Sequence, residues 1–258
     1  MNNWIWRYSI WIFLLGACRA SENKGIPDAG QEIDVVLNPR TIEEIPLPEG
    51  FQRTNEPPGS FAHWLRQLPL RKEKTVYLYN GLTKPNQKAQ YAVLDIPVRG
   101  NPLLQCADVI MKLRAEYLFA KGGGEPISFT DFAGREYRWK GGKDQHTFNR
   151  YMNQVYSWCG SASLEKQLKP VSRFDSIRIG DVLVQGGFPG HAVLVTDMAT
   201  DTSGQKIFML LQGYQPAQDI HILFNTAASA ADPWYPIPGG HQLFTPEWTF
   251  AKAALKHW

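Results

Sequence analysis

The sequence predicts an α+β fold built on an antiparallel sheet, and three observations carry that expectation. Helical periodicity is concentrated in the first half of the chain, and strand-like runs cluster in the second. Two of those runs, Val182 to Gln185 and His191 to Thr196, are joined by a loop containing Gly186, Gly187, Pro189 and Gly190. A third run, Lys206 to Tyr214, follows directly. At 258 residues and 43% hydrophobic, the chain is long enough to bury one large core or two small ones. Its net charge of +3 is spread thinly, and only Arg71, Lys72 and Lys74 cluster, as in a solvated turn. No nucleic-acid partner is expected from such a distribution.

The first residues carry an address. Arg7 precedes the apolar run Ile10 to Leu15, which is too short to span a bilayer comfortably but suits the core of an export signal. The run ends in Leu15-Gly16-Ala17-Cys18, which resembles the lipobox of bacterial lipoproteins. That resemblance implies a signal peptide over residues 1–17, a lipidated Cys18, and a mature protein anchored to a membrane of the cell envelope and facing outside the cytoplasm. The polar stretch that follows, with no aromatic residue from Arg19 to Arg40, reads as a tether over 18–44, and a single domain is expected over 45–258.

Within that domain, Ser60 is placed to cap a short helix through Phe61, Trp64 and Leu68. Strands are expected at Thr75 to Tyr79 and Gln90 to Val98. Asn101 and Pro102 suit the start of a helix whose apolar stripe runs through Leu103, Cys106, Ala107, Ile110, Leu113 and Tyr117. Ile127 to Trp139 reads as two short strands broken at Gly134. Helices are expected over about Thr147 to Trp158 and Ser163 to Leu168, and a turn-rich tail wraps the core. Along the strand opening at His191, alternation sets His191, Val193, Val195 and Asp197 on one face and Ala192, Leu194 and Thr196 on the other.

A cysteine at a helix start, a histidine opening a strand and an amide in the next strand are what a thiol nucleophile needs. The helix N-terminus and the imidazole favour thiolate, the imidazole moves the proton, and a third polar group holds its tautomer. Cys106, His191 and Gln212 fill these roles, with Gln105 and the first backbone N–H groups of the helix as oxyanion donors. His221 is either an alternative orienting group, part of a substrate wall, or a strand-end hydrogen-bonding residue. Asp95 and Asp197 read as structural acceptors. The remaining histidines show no ligand spacing, so no metal or other cofactor is expected.

Gly180-Asp181-Val182-Leu183-Val184 followed by Gly190-His191-Ala192-Val193-Leu194 resembles the papain-like core of NlpC-type cell-wall peptidases. The resemblance implies a Cys-bearing helix packed on an antiparallel sheet, a Cys-His-Gln mechanism and cleavage of amide bonds in peptidoglycan stem peptides. Here Cys106 is followed by Ala107-Asp108, where that family usually carries Ser-Gly. More of the chain is similar to an uncharacterised bacterial family of secreted and lipid-anchored proteins known only as a domain of unknown function. Leu104-Gln105-Cys106-Ala107-Asp108, Gly187-Phe188-Pro189-Gly190-His191 and Thr245-Pro246-Glu247-Trp248 are among the segments that carry this likeness.

Other readings stay open on sequence alone. Cys106 can be a buried small hydrophobe, or can pair with Cys159 in a structural disulfide. The protein is then an envelope lipoprotein that binds cell-wall peptide or glycan without catalysis. A third reading keeps the catalysis and makes the bond an ester or acyl linkage.

Overall fold

A computed structural model describes residues 38–228 and 232–258. The expected signal peptide, Cys18 and most of the expected tether lie outside the described residues. The domain begins earlier than expected, because Ile42 and Ile45 are fully buried and the Ile42 N–H donates to the Leu68 carbonyl.

The strands are β1 (Phe51–Arg53), β2 (Leu70–Arg71), β3 (Gln90–Leu94), β4 (Ser128–Thr130), β5 (Glu136–Arg138), β6 (Lys169–Pro170), β7 (Val182–Gln185) and β8 (His191–Asp201). They continue with β9 (Lys206–Gln212), β10 (His221–Leu223), β11 (Trp234–Pro236), β12 (Gln242–Phe244), β13 (Thr249–Ala251) and β14 (Leu255–His257). The helices are α1 (Phe61–Arg66), α2 (Cys106–Lys121), α3 (Gln145–Trp158) and α4 (Ser161–Gln167). The main sheet runs β2-β3-β10-β9-β8-β7-β14-β6, with β1 on β8 and β11 on β9, and its pairings are antiparallel. This is the mixed α+β, antiparallel architecture that the sequence predicts.

Each face of the sheet has its own core. On one side Ala192, Leu194, Met209 and Leu211 pack under α2 and α3, with Val109, Ile110, Leu113 and Phe148. On the other, Val193, Val195, Phe208 and Leu210 are covered by Phe174 and by Leu243, Phe250 and Leu255 from the tail. The turn-rich tail therefore wraps the sheet, and β14 pairs with β7.

Local chemistry explains the boundaries. Ser60 caps α1, accepting from His63 N at 3.1 Å. Helix α2 starts later than its sequence suggests, because Asn101 Oδ1 accepts from Leu103 N and turns the chain before the helix. Asp108 Oδ2 then accepts the Gln105 N–H, so Cys106 becomes the first helical residue. The helix ends at Gly122, whose φ of +75 suits glycine. Helix α3 begins before Thr147 because Asp144 caps it, accepting from Thr147 N at 2.8 Å. The hairpin β4–β5 is broken near Gly134 as expected.

Two expected strands do not form as read. Thr75 to Tyr79 makes only isolated bridges, since Val76 N–H donates to Gln87 Oε1 and Tyr77 N–H to Asp219 Oδ2, so side chains take the donors a neighbouring strand would need. Strand β3 stops at Leu94, and Asp95 N–H turns to the Pro69 carbonyl.

The alternation expected along β8 holds only as far as Val195. A bulge between Val195 and Asp197 leaves Thr196 out of register, and Met198, not Asp197, continues the face of Val193 and Val195. The flip carries Asp197 to α1, where Arg66 Nε donates to Oδ1 at 2.6 Å and Arg53 Nε to Oδ2 at 2.6 Å. Removing the shared carboxylate leaves two guanidinium groups without their acceptor. Asp197→Ala is expected to cost about 3–5 kcal/mol of unfolding free energy in urea titration; a loss below about 1 kcal/mol would show that the bulge does not serve this pair.

Candidate active site

Pairing between β8 and β9 begins at Leu194 opposite Leu211, so His191, Ala192 and Val193 have no β9 partner. Strand β9 ends at Gln212, short of the expected Tyr214. The start of α2 enters this opening. A Cβ on Gly213 would lie 2.7 Å from Val109 Cγ2 and 3.2 Å from the Gln105 carbonyl, so the helix rests directly on bare backbone. Gly190 is as tightly enclosed, because a Cβ there would meet Ser161 Oγ at 2.3 Å.

The opening brings Cys106 and His191 into one neighbourhood. The backbone N–H groups of Ala107, Ala192 and Cys106 all favour the Cys106 thiolate, and Ala192 is next in the chain to His191. The Tyr214 ring stands 4.8 Å from the His191 ring and interacts electrostatically with Cys106. Among the described residues, no hydrogen bond joins the sulfur to the imidazole. Trp248 and Phe250 close over His191, with ring centroids at 5.3 and 5.8 Å, and leave it 1% exposed.

Hydrogen bonding fixes the polarity of this site from the inside outward. The Asp219 carbonyl, 2.9 Å from His221 Nδ1, can only accept, so Nδ1 carries the proton and His221 Nε2 is an acceptor. Gln212 Nε2 meets that acceptor at 3.1 Å and donates its other hydrogen to Glu247 Oε2 at 2.8 Å. Glu247 is held as a carboxylate partner by Lys84 Nζ at 2.7 Å and by Asn86 Nδ2 at 3.0 Å. With both amide hydrogens spent, Gln212 Oε1 must face His191 Nε2, 2.8 Å away. His191 therefore carries its proton on Nε2, and Nδ1 keeps a free lone pair.

Of the residues singled out from sequence, His191, Gln212 and His221 form one buried hydrogen-bonded chain. His221 is fully buried and supports Gln212, so it is not part of a substrate wall. Cys106 and Gln105 line a cleft of about 580 Å³ together with Asp108, Cys159 and the Gly187–Gly190 loop. The Gln105 amide nitrogen reaches the Pro102 carbonyl at 3.5 Å. Both Cys106 and Cys159 are free thiols, so no disulfide joins them. Glu247, Lys84, Asp108 and Gly213 were not assigned roles by sequence reasoning; Glu247 and Asp108 stand in segments already singled out, whereas Lys84 carries no local signal.

Burial decides the protonation states. It lowers His191 to about 4, with the Gln212 hydrogen bond opposing, and it lowers His221 as well. It pushes the Cys106 thiol up to about 11, assisted by Asp108 and opposed by the backbone N–H groups. The expected thiolate is thus replaced by a thiol at rest, because desolvation exceeds the helix-terminus and N–H stabilisation.

A family model described as "Domain of unknown function (4846)" matches residues 42–145 and 136–257. No curated protein and no solved structure matches the chain.

The deduced tautomers are directly measurable. Long-range ¹H–¹⁵N spectra are expected to show His191 protonated on Nε2 and His221 on Nδ1. Glu247→Gln, which can donate as well as accept, should release the Gln212 amide and populate a second His191 signal; a single unchanged signal would refute the Glu247 anchor.

Proposed function

From a chain that belongs to the domain of unknown function (4846) family, and so inherits no activity, we propose a papain-like cysteine hydrolase acting on amide bonds. The observation that carries this reading is the Glu247–Gln212–His191 chain, which leaves an unprotonated Nδ1 on the residue next to Ala192, whose backbone N–H acts on a helix-start cysteine that lines a cleft. Cys106 attacks the carbonyl carbon while its thiol proton passes to His191 Nδ1. The oxyanion forms against N–H groups at the start of α2, and Gln105 is the side chain nearest to help. Collapse expels the amine, which takes the proton from the imidazolium and leaves a thioester on Cys106. Water attacks the thioester with His191 as base, releasing the carboxylate and restoring the thiol.

The substrate reading follows from the setting. Leu103, Phe132, Trp158 and Phe188 are exposed large hydrophobic residues that line the cleft, a rim suited to apolar side chains or sugar faces. Together with the export signal and lipobox at 1–18, this supports peptidoglycan stem peptides as substrate and a lipid-anchored position in the bacterial cell envelope. A second reading, a lipoprotein that binds peptide or glycan without cleaving it, is favoured by one observation: Cys106 is only 6% exposed.

Muropeptide digestion separates the two. Wild-type protein should release new amino and carboxyl ends, and Cys106→Ala should lower turnover by roughly 10⁴-fold or more; binding with no cleavage in either protein supports the second reading. The pH profile is equally specific. His191 must be neutral to accept the proton, and burial holds its pKa near 4, so kcat/KM should persist below the usual histidine range and fall only as pH drops through about 4. An acid limb near 6.5 would show that another group is the base.

A further inference from the structure

The reaction just described leaves unused a carboxyl group that shares the cleft with the nucleophile. Asp108 lines the cavity two residues after Cys106 and is 6% exposed. Its two oxygens are not equivalent. Oδ2 accepts the Gln105 N–H at 3.1 Å, and Oδ1 is buried without any hydrogen-bond partner. Folded proteins satisfy nearly all such atoms; among the described residues six buried side-chain atoms lack a partner, and Asp108 Oδ1 is the one whose residue lines the cleft of Cys106, where a ligand can complete it.

The character of that ligand follows from the state of the carboxyl. Burial raises Asp108 to about 8, against the hydrogen bonds from the Gln105 N–H and its own. The titratable groups that feel it are Cys106 on its own helix, Tyr156 in α3 and Cys159 just beyond it, all neutral acids near pH 7 with raised pKa values. No cation is among the influences on its carboxyl. With Oδ2 occupied as an acceptor, the proton sits on Oδ1, and the unpaired atom is a donor. We propose that Asp108 is a substrate-contacting residue whose Oδ1–H holds a carbonyl oxygen of the substrate beside the Cys106 sulfur. The cleft then selects acyl groups that present a second hydrogen-bond acceptor, as a peptide does and a simple alkyl ester does not. The identity of this ligand rests on the cysteine-hydrolase reading.

A neutral Asp108 also serves the nucleophile. An ionised carboxylate here contributes to the raised thiol, because like charges repel in a dry site, and a neutral one removes that contribution. Binding a carbonyl oxygen stabilises the protonated form and so keeps that charge away while the sulfur loses its proton.

The test uses the full chain and two alkylating probes, iodoacetamide, which carries a carbonyl, and 1-iodopropane, which does not. In wild type the ratio of their rates at Cys106 should fall about tenfold as pH rises through about 8 and Asp108 ionises. Asp108→Asn keeps a donor of the same shape and should hold the low-pH ratio at every pH. Asp108→Leu should show the low ratio throughout. An unchanged ratio in Asp108→Leu, or an Asn variant as impaired as Leu, overturns the proposal; the latter would assign instead a charge contact to a substrate amine. Should Asp108→Leu fail to fold, the wild-type pH dependence and the Asn variant still decide. A ¹³C carboxyl titration of Asp108 in the ordinary aspartate range overturns it independently. If neither probe labels Cys106 in wild type at any pH, the hydrolase reading fails and this inference falls with it; a reactive thiol with an invariant ratio removes the Asp108 contact alone.

Discussion

The site exists because β9 lets go of β8 after Leu211. Were the ladder to continue, the Ala192 N–H would be spent on a strand carbonyl, and the start of α2 would have no way in. Instead the chain passes Gly213, where the missing side chain lets Val109 and the Gln105 carbonyl come within van der Waals reach of the backbone. One small residue thus converts a strand end into a socket for a helix terminus. The socket sets the sulfur against Ala192, and the neighbouring residue on the same strand supplies the imidazole. Alternation then matters. The imidazole projects toward the tail side with Phe250, whereas α2 packs on the face of Ala192 and Leu194. The proposed nucleophile and base are therefore carried on elements that pack into two different faces of the sheet.

Protonation follows from the same burial. A helix N-terminus is worth about 0.3–1 kcal/mol to an exposed anion, and the N–H groups of Ala107, Ala192 and Cys106 also favour the thiolate. The thiol nevertheless rises to about 11, so the loss of water outweighs both. Neutral partners make orientation the dominant requirement, because a neutral imidazole is useful only with its lone pair on the correct nitrogen. That choice is made far from the sulfur, by the Asp219 carbonyl and the Lys84–Glu247 ion pair, and passed through a single amide that cannot turn over.

What was legible in the sequence was what local forces decide. Val182–Gln185 and the entry of His191 into a strand could be read because glycine and proline punctuate the turn between them. Helix α3 could be read because its stripe is regular. Gln212 could be placed because it follows in the next antiparallel strand. The errors have a common cause in partners distant along the chain. Thr75 to Tyr79 has strand composition, yet Gln87 and Asp219 take its backbone donors. Asp197 changes face because a bulge answers two arginines brought from residues 53 and 66. Lys84 and Glu247 meet across most of the domain, and no periodicity could announce that pair. The helix beginning at Cys106 was anticipated only approximately, since the asparagine and proline suited to start it form a preceding turn instead.

The quiet state of the thiol bears on where such a protein can work. Oxidation of cysteine follows thiolate character and exposure, and Cys106 has neither at rest. A resting thiolate–imidazolium pair would be more reactive but also more easily lost in the oxidising surroundings that the proposed envelope location implies. In the proposed reaction, generating the nucleophile only when a substrate carbonyl is in place trades some intrinsic reactivity for persistence. The donor proposed for a neutral Asp108 fits the same pattern, since it places no charge beside the sulfur. On this view burial is the principal tuning device of the site, and the polar network serves to aim what burial has left neutral.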